Sequence, residues 1–127
     1  MQFRIDGNPD QAELTVALQP DEKVRCEAGA MSRMAEHMDM RITTGGGLLK
    51  GLFRSIAGGA SLVQGEFSAP QGGWITLAPR APGTILHQKL EQRPLWLAAG
   101  AYLASSTDVR LRTRWGGLRG RFGGAGV

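Results

Sequence analysis

The sequence contains one cysteine, no long apolar run and no recognisable targeting signal. Cys26 cannot form an intrachain disulfide, so the fold needs no oxidising compartment. The longest apolar stretch, residues 95–104, is too short to span a bilayer. The first ten residues lack the basic and apolar regions of a signal peptide. These absences predict a soluble cytoplasmic protein.

Glycine and proline, in contrast, are abundant, with 19 Gly and 6 Pro in 127 residues. Such a composition suits an all-β domain with many tight turns and argues against a helical bundle. The length leaves room for one domain, so we expect residues 1–127 to form a single β domain.

Short segments with alternating apolar residues recur about every ten residues, as expected for strands of an antiparallel β-sandwich or barrel. Further strands are expected near residues 61–69, 74–78 and 84–90. Turn-forming residues separate these segments at 6–9, 19–21, 69–73 and 81–83. The apolar residues that define three of the faces are Leu14, Val16 and Leu18; Met38, Met40 and Ile42; and Ile75 and Leu77.

One segment has helical spacing instead, and it predicts a short helix near residues 48–57 between two glycine-rich stretches. Its apolar stripe is expected to cover the β core or to contact another subunit. Peripheral membrane contact is the alternative, because Lys50 and Arg54 lie opposite the stripe. The candidate interaction surface comprises Leu48, Leu49, Lys50, Leu52, Phe53 and Arg54.

An internal repeat of about 70 residues is visible in the sequence. Five segments recur in the same order: 28–30 as 99–101, 39–42 as 108–111, 46–48 as 116–118, 50–53 as 119–122 and 58–60 as 123–125. We expect a first repeat over 28–98 and an incomplete second repeat over 99–127. An incomplete repeat would leave a sheet edge and an apolar face uncovered, which predicts a homo-oligomer.

The C-terminal segment is strongly basic, since residues 109–127 carry five arginines and no acid. Arginines with interleaved aromatics suit nucleic-acid binding through phosphate contacts and base stacking. The alternation at 110–115 equally suits a strand with one solvated and one packed face. The candidate nucleic-acid contacts are Arg110, Arg112, Arg114, Trp115, Arg119 and Arg121.

No catalytic, cofactor or metal site is predicted. The glycine-rich loop at 45–50 lacks the Gly-Lys-Ser/Thr ending of a phosphate-binding loop. Cys26 with His37 or His87 lies in no nucleophile motif, and a lone cysteine in a strand is usually a small core residue. Soft ligands that would suit Cu(I) cluster nearby, but their counterparts in the second repeat contain no sulfur, which favours core packing. These ligands are Cys26, Met31, Met34, His37, Met38 and Met40.

Several segments together resemble the altered-inheritance-of-mitochondria (mitochondrial biogenesis) family, which belongs to the superfamily similar to the tryptophan RNA-binding attenuation protein. The segments are 24–31 (VRCEAGAM), 44–62 (TGGGLLKGLFRSIAGGASL), 67–79, 82–83 and 100–105 (GAYLAS). The resemblance implies an all-β fold of two similar halves and supplies no catalytic residues. Family members usually contain a complete second half.

Residues and resemblance together predict a non-enzymatic β module that acts through self-association and through contacts with an unidentified protein partner. No cofactor is expected. The alternative function is RNA binding through the arginine-rich C-terminal segment.

Overall fold

The computed structural model describes residues 1–44, 63–98 and 100–112. The helix predicted near 48–57 and the glycine-rich loop beside it lie outside these residues. The described part contains eight strands: β1 (Gln2–Asp6), β2 (Glu13–Leu18), β3 (Lys23–Glu27), β4 (Met31–Met34), β5 (Asp39–Thr44), β6 (Val63–Ser68), β7 (Gly73–Leu77) and β8 (Ala104–Ser106).

The strands form two four-stranded antiparallel sheets. Sheet A has the order β1-β2-β7-β4 and sheet B the order β5-β6-β3-β8. Strands distant in sequence pair at the centre of each sheet, with Val16 opposite Ile75 in sheet A and Val24 opposite Phe67 in sheet B. The predicted all-β fold with a sandwich-like arrangement is confirmed.

The core lies between the two sheets and is built from the alternating apolar positions. Sheet A contributes Val16, Leu18, Ile75 and Leu77, and sheet B contributes Val24, Cys26 and Phe67. All seven are at most 3% exposed. Alternation therefore identified the buried face of β2 and β7, because successive side chains of a strand point to opposite sides.

The strand predicted at 84–90 does not form, which corrects the sequence prediction. This segment instead lies across the β1–β2 connection, where the Asn8 side chain accepts a hydrogen bond from Ile85 N at 2.9 Å and donates one to Ile85 O at 3.1 Å. Ile85 is buried and the adjacent Leu86 is 85% exposed. Two hydrogen bonds between the Asn8 side chain and the backbone of Ile85, called the clamp below, replace the inter-strand hydrogen bonds that a strand would require.

The two segments aligned in the predicted repeat share one local feature and differ in another. Gly29 and Gly100 have φ of 90° and 83°, in turns closed by Ala30 N to Glu27 O at 3.1 Å and Ala101 N to Ala98 O at 3.0 Å. Residues 39–42, however, belong to β5, whereas 108–111 form no strand. The internal repeat, its boundaries and the single-domain organisation remain predictions.

Candidate interaction surface

Strand β5 forms one edge of sheet B, and within the described residues no strand pairs with its outer side. Its other side pairs with β6 over six residue pairs, from Asp39 opposite Ser68 to Thr44 opposite Val63. The backbone direction and register of β5 are thus fixed by β6. An edge strand held in this way presents unpaired N–H and C=O groups in a regular order.

The core-facing side of β5 carries two large apolar side chains that remain exposed. Met40 lies opposite Phe67 and Ile42 opposite Gly65, so both point to the side of sheet B that faces the core. Phe67 is 2% exposed, whereas Met40 is 51% and Ile42 63% exposed. Sheet A therefore covers β6 but not β5. Met40 and Ile42 together are called the open strip below.

This exposure corrects the expectation that Met40 packs in the core together with Met38. Of Met38, Met40 and Ile42, only Met38, which precedes the strand, is buried, and its sulfur lies beside Gly73. The physical reason is that the core cluster includes residues of β2, β3, β6 and β7 but not Met40 or Ile42 of β5, the edge strand of sheet B. Alternation predicts the side to which a residue points, but not whether anything packs there.

The opposite, solvent-facing side of β5 carries one acidic and one basic residue, Asp39 and Arg41. Both side chains are exposed, and neither forms an ion pair with any described residue. Arg41 lies opposite Glu66 in the register, but Glu66 already has two other cationic partners. The edge therefore presents a negative and a positive charge two residues apart.

Glu66 and its two cationic partners, Lys23 and Arg25, form an ion-pair cluster at the centre of sheet B. Lys23 Nζ lies 3.2 Å from Glu66 Oε1, and Arg25 Nη2 lies 3.3 Å from Glu66 Oε2. Arg25 also donates from Nη1 to the carbonyl of Val109 at 3.3 Å, which attaches the chain after β8 to the outer face of β3. Partial burial favours the neutral carboxyl, but hydrogen bonds from Lys23 and Arg25 outweigh it and lower the pKa of Glu66.

We expect Glu66→Gln to lower the free energy of unfolding by about 1 kcal/mol at neutral pH. Because the folded-state pKa is lowered, this stabilisation is complete above the ordinary value of 4.5 and is lost as the pH falls through the lowered value. Urea unfolding of both proteins between pH 7 and pH 2 checks this, and the difference should vanish at the acid end. Glu36→Gln is the control, since Glu36 is exposed and unpaired in the described chain; a constant Glu66→Gln difference would contradict the prediction.

Cys26 has the environment of a core residue. Its side chain is 1% exposed, and burial, assisted by the charge of Glu27, raises the pKa of the thiol to about 11. A covered thiol that stays protonated is a poor nucleophile. The two histidines lie elsewhere: His37 is exposed after β4, and the ring of His87 lies 4.7 Å from that of Phe3. These placements favour packing as the role of Cys26.

A shallow cleft of about 370 Å³ lies beside the start of β5, between the β4–β5 and β6–β7 connections. Its lining is mixed, with Glu36, His37 and Asp39 on one side and Pro70 and Gln71 on the other. In the part of the chain that the structure describes, no three His, Cys, Asp or Glu side chains are placed to hold a metal ion. Neither Lys nor Arg is among the residues that line this cleft.

The chain has recognisable relatives among known proteins. The family model for mitochondrial biogenesis AIM24 matches residues 3–127, almost the entire chain. This chain belongs to the AIM24 family. No curated protein matches it significantly.

A solved structure provides a second comparison for this AIM24 chain. The crystal structure of protein SPYM3_0169 from Streptococcus pyogenes is 28% identical, with a TM-score of 0.64. The match covers 84% of the AIM24 chain and 50% of the streptococcal protein. The chain thus spans about half the length of that relative.

Among the described residues, no helix is long and apolar enough to cross a membrane.

The structure separates the predicted contact residues of the AIM24 chain into two groups. Arg110 and Arg112 are described; both are exposed, with the half-buried Leu111 between them and no ion pair to any described residue. They lie in irregular chain rather than in the strand that their alternation suggested. The remaining predicted contacts lie outside the described residues: Leu48, Leu49, Lys50, Leu52, Phe53, Arg54, Arg114, Trp115, Arg119 and Arg121.

The edge of β5 was not among the predicted sites, although a signal for it exists in the sequence. Asp39-Met40-Arg41-Ile42 alternates charged with apolar residues, which predicted a strand with an apolar face and aligned the repeat but was not interpreted as an edge. Charged residues on one side of a strand and apolar residues on the other also describe an edge strand. The pairing order of the strands, which the structure supplies, distinguishes an edge strand from a central strand with the same pattern.

Proposed function

We propose that this AIM24 chain is a non-enzymatic β module that acts by self-association and by contacts with other proteins. The observation that carries the proposal is the open strip, where Met40 and Ile42 continue the core-facing side of sheet B beyond the cover of sheet A. Covering the apolar side chains on the inner side of a sandwich with another surface lowers the free energy, because it removes them from water. A second protein chain would cover the open strip and would also provide hydrogen-bond partners for the unpaired backbone groups of β5.

Other exposed apolar side chains support protein contacts in addition. Phe3, on the edge strand β1 of sheet A, is 46% exposed, and Leu86 and Leu95 are 85% and 50% exposed. Leu86 and Leu95 lie between β7 and β8, where the described residues form no strand. A partner protein that binds here would bury apolar side chains that the described chain leaves exposed to water.

The experiment is the mass of the chain in solution, measured by light scattering after size exclusion at about 0.05 M and 0.5 M salt. We expect a defined multiple of 13.6 kDa at both salt concentrations, because burial of apolar side chains is not screened by ions. A chain that remains monomeric over the accessible concentration range would refute self-association.

RNA binding is the second candidate, favoured by the exposed arginines Arg110 and Arg112 that follow β8. Arg110 and Arg112 have no counter-ion in the described chain, and further arginines follow them in sequence. This candidate predicts RNA binding that weakens steeply with salt, since phosphate contacts release counter-ions. Replacing Arg110, Arg112 and Arg114 together by glutamine should abolish it, whereas binding that is unchanged by this variant or by salt would reject it.

A further inference from the structure

The outer side of β5 offers a specific way to pair two copies of the chain. A free strand edge binds another strand through backbone hydrogen bonds, and a two-fold axis makes the pair antiparallel. In such a pair one residue lies opposite its own copy, and its neighbours face each other reciprocally. The axis must pass through a residue and not between two, because otherwise core-facing side chains would lie opposite solvent-facing ones.

The charges on β5 distinguish between the available registers. An axis at Arg41 would place two arginines directly opposite each other, and like charges in that position are destabilising. An axis at Ile42 would place Arg41 opposite Thr43, without any compensating charge. An axis at Met40 places Asp39 opposite Arg41 of the second copy, and it does so twice. Only this last register pairs both charges of the strand.

The same register also brings one residue of the open strip, Met40, into contact with the second copy. Met40 would lie opposite its own copy on the core-facing side, beside Phe67 of each chain. Its side chain is half exposed and flexible, so it can adapt to an identical neighbour. One register therefore gives hydrogen-bond partners to the backbone edge of β5, opposite charges to Asp39 and Arg41, and an apolar neighbour to Met40.

We infer that two copies of this chain pair through β5 in an antiparallel register centred on Met40. Two four-stranded B sheets then join into one continuous eight-stranded sheet, with reciprocal Asp39–Arg41 ion pairs on its outer side. This inference rests on the proposed self-association and assigns it to one surface and one register.

Cysteine cross-linking tests the register directly. Directly opposite residues of antiparallel strands have Cα atoms about 4.5–5.5 Å apart, which suits a disulfide. Met40→Cys is therefore expected to form a covalent dimer on mild oxidation, seen on a non-reducing gel. Ile42→Cys is the matched control: it lies on the same side of the same strand and is more exposed, but its two copies would be about 13 Å apart. The parent chain controls for Cys26, which is buried.

Charge reversal tests the two ion pairs independently. Asp39→Arg and Arg41→Asp each place like charges opposite each other at two positions, so each should raise the dissociation constant of the dimer about ten- to a hundred-fold. The double variant Asp39→Arg/Arg41→Asp exchanges the charges and should restore association close to the parent value. Light scattering over a concentration series measures all four proteins, and circular dichroism confirms that each variant is folded.

The outcomes separate this inference from the proposal on which it rests. A parent chain that is monomeric refutes both. A parent that associates, with single reversals that leave the dissociation constant unchanged, refutes the β5 interface and leaves self-association in place. Self-cross-linking of Ile42→Cys, or failure of the double reversal to restore association, overturns the register centred on Met40.

Discussion

Phe67→Ala is expected to lower the free energy of unfolding by about 3–5 kcal/mol. The ring is 2% exposed in the middle of the core, where Val24 lies opposite it on one neighbouring strand and Met40 on the other. Gly65 makes room for this ring, since a Cβ there would lie 2.9 Å from its Cε2 atom. Truncation removes the apolar contacts and leaves a cavity that a packed sandwich fills only in part.

Urea unfolding at a fixed protein concentration measures this loss. Domains of this size are typically stable by about 5–15 kcal/mol, so the variant should unfold at a much lower urea concentration or be partly unfolded without urea. Leu86→Ala is the control, since Leu86 is 85% exposed, and its effect should stay within about 0.5 kcal/mol. A loss below about 1 kcal/mol for Phe67→Ala would mean that the ring does not join the two sheets.

Gly7→Ala is expected to cost about 3 kcal/mol, from two causes that act together. Gly7 has φ of 78°, a conformation that alanine adopts only with strain. A Cβ atom at Gly7 would also collide with the backbone carbonyl oxygen of Gln11, and no side-chain rotation can relieve this contact. The carbonyl of Gly7 accepts the Gln11 N–H at 3.0 Å, so the whole β1–β2 connection would have to shift.

Two other glycines separate these causes. Gly100 has φ of 83° but open space around it, so Gly100→Ala should cost only the conformational part, about 1–2 kcal/mol. Gly83 has neither a positive φ nor a neighbour within 4 Å, and Gly83→Ala should be nearly neutral. Unfolding midpoints are expected in the order Gly7→Ala, Gly100→Ala, Gly83→Ala from lowest to highest. Equal midpoints for the first two would show that the contact with Gln11 is unimportant.

Strand β5 shows how a local pattern and its tertiary setting contribute to a candidate interface. The alternation of Asp39, Met40, Arg41 and Ile42 is local, and it suffices to predict a strand with one charged and one apolar side. The same pattern would describe a central strand whose apolar side is buried. Among the described strands β5 pairs with β6 alone, and Met40 and Ile42 stay exposed although they lie on the core-facing side.

The ion-pair cluster illustrates the same dependence. Lys23 and Arg25 alternate on β3, but Glu66 is more than forty residues away in sequence. Nothing in the local sequence around Glu66 indicates two cationic neighbours. The antiparallel register of β3 with β6, which places Arg25 opposite Glu66, determines the cluster and thereby the lowered pKa of this carboxyl.

By itself, the sequence determined the features that depend on short-range chemistry. Alternating apolar residues and turn-forming Gly, Pro and Asp predicted the all-β class, the buried faces of β2 and β7 and the core position of Cys26. The tertiary structure decided which strands pair and which edge stays open, and it replaced the strand expected at 84–90 by the clamp between Asn8 and Ile85. The reason is physical: side-chain direction is a property of each residue, whereas a strand or an exposed face exists only through what lies beside it.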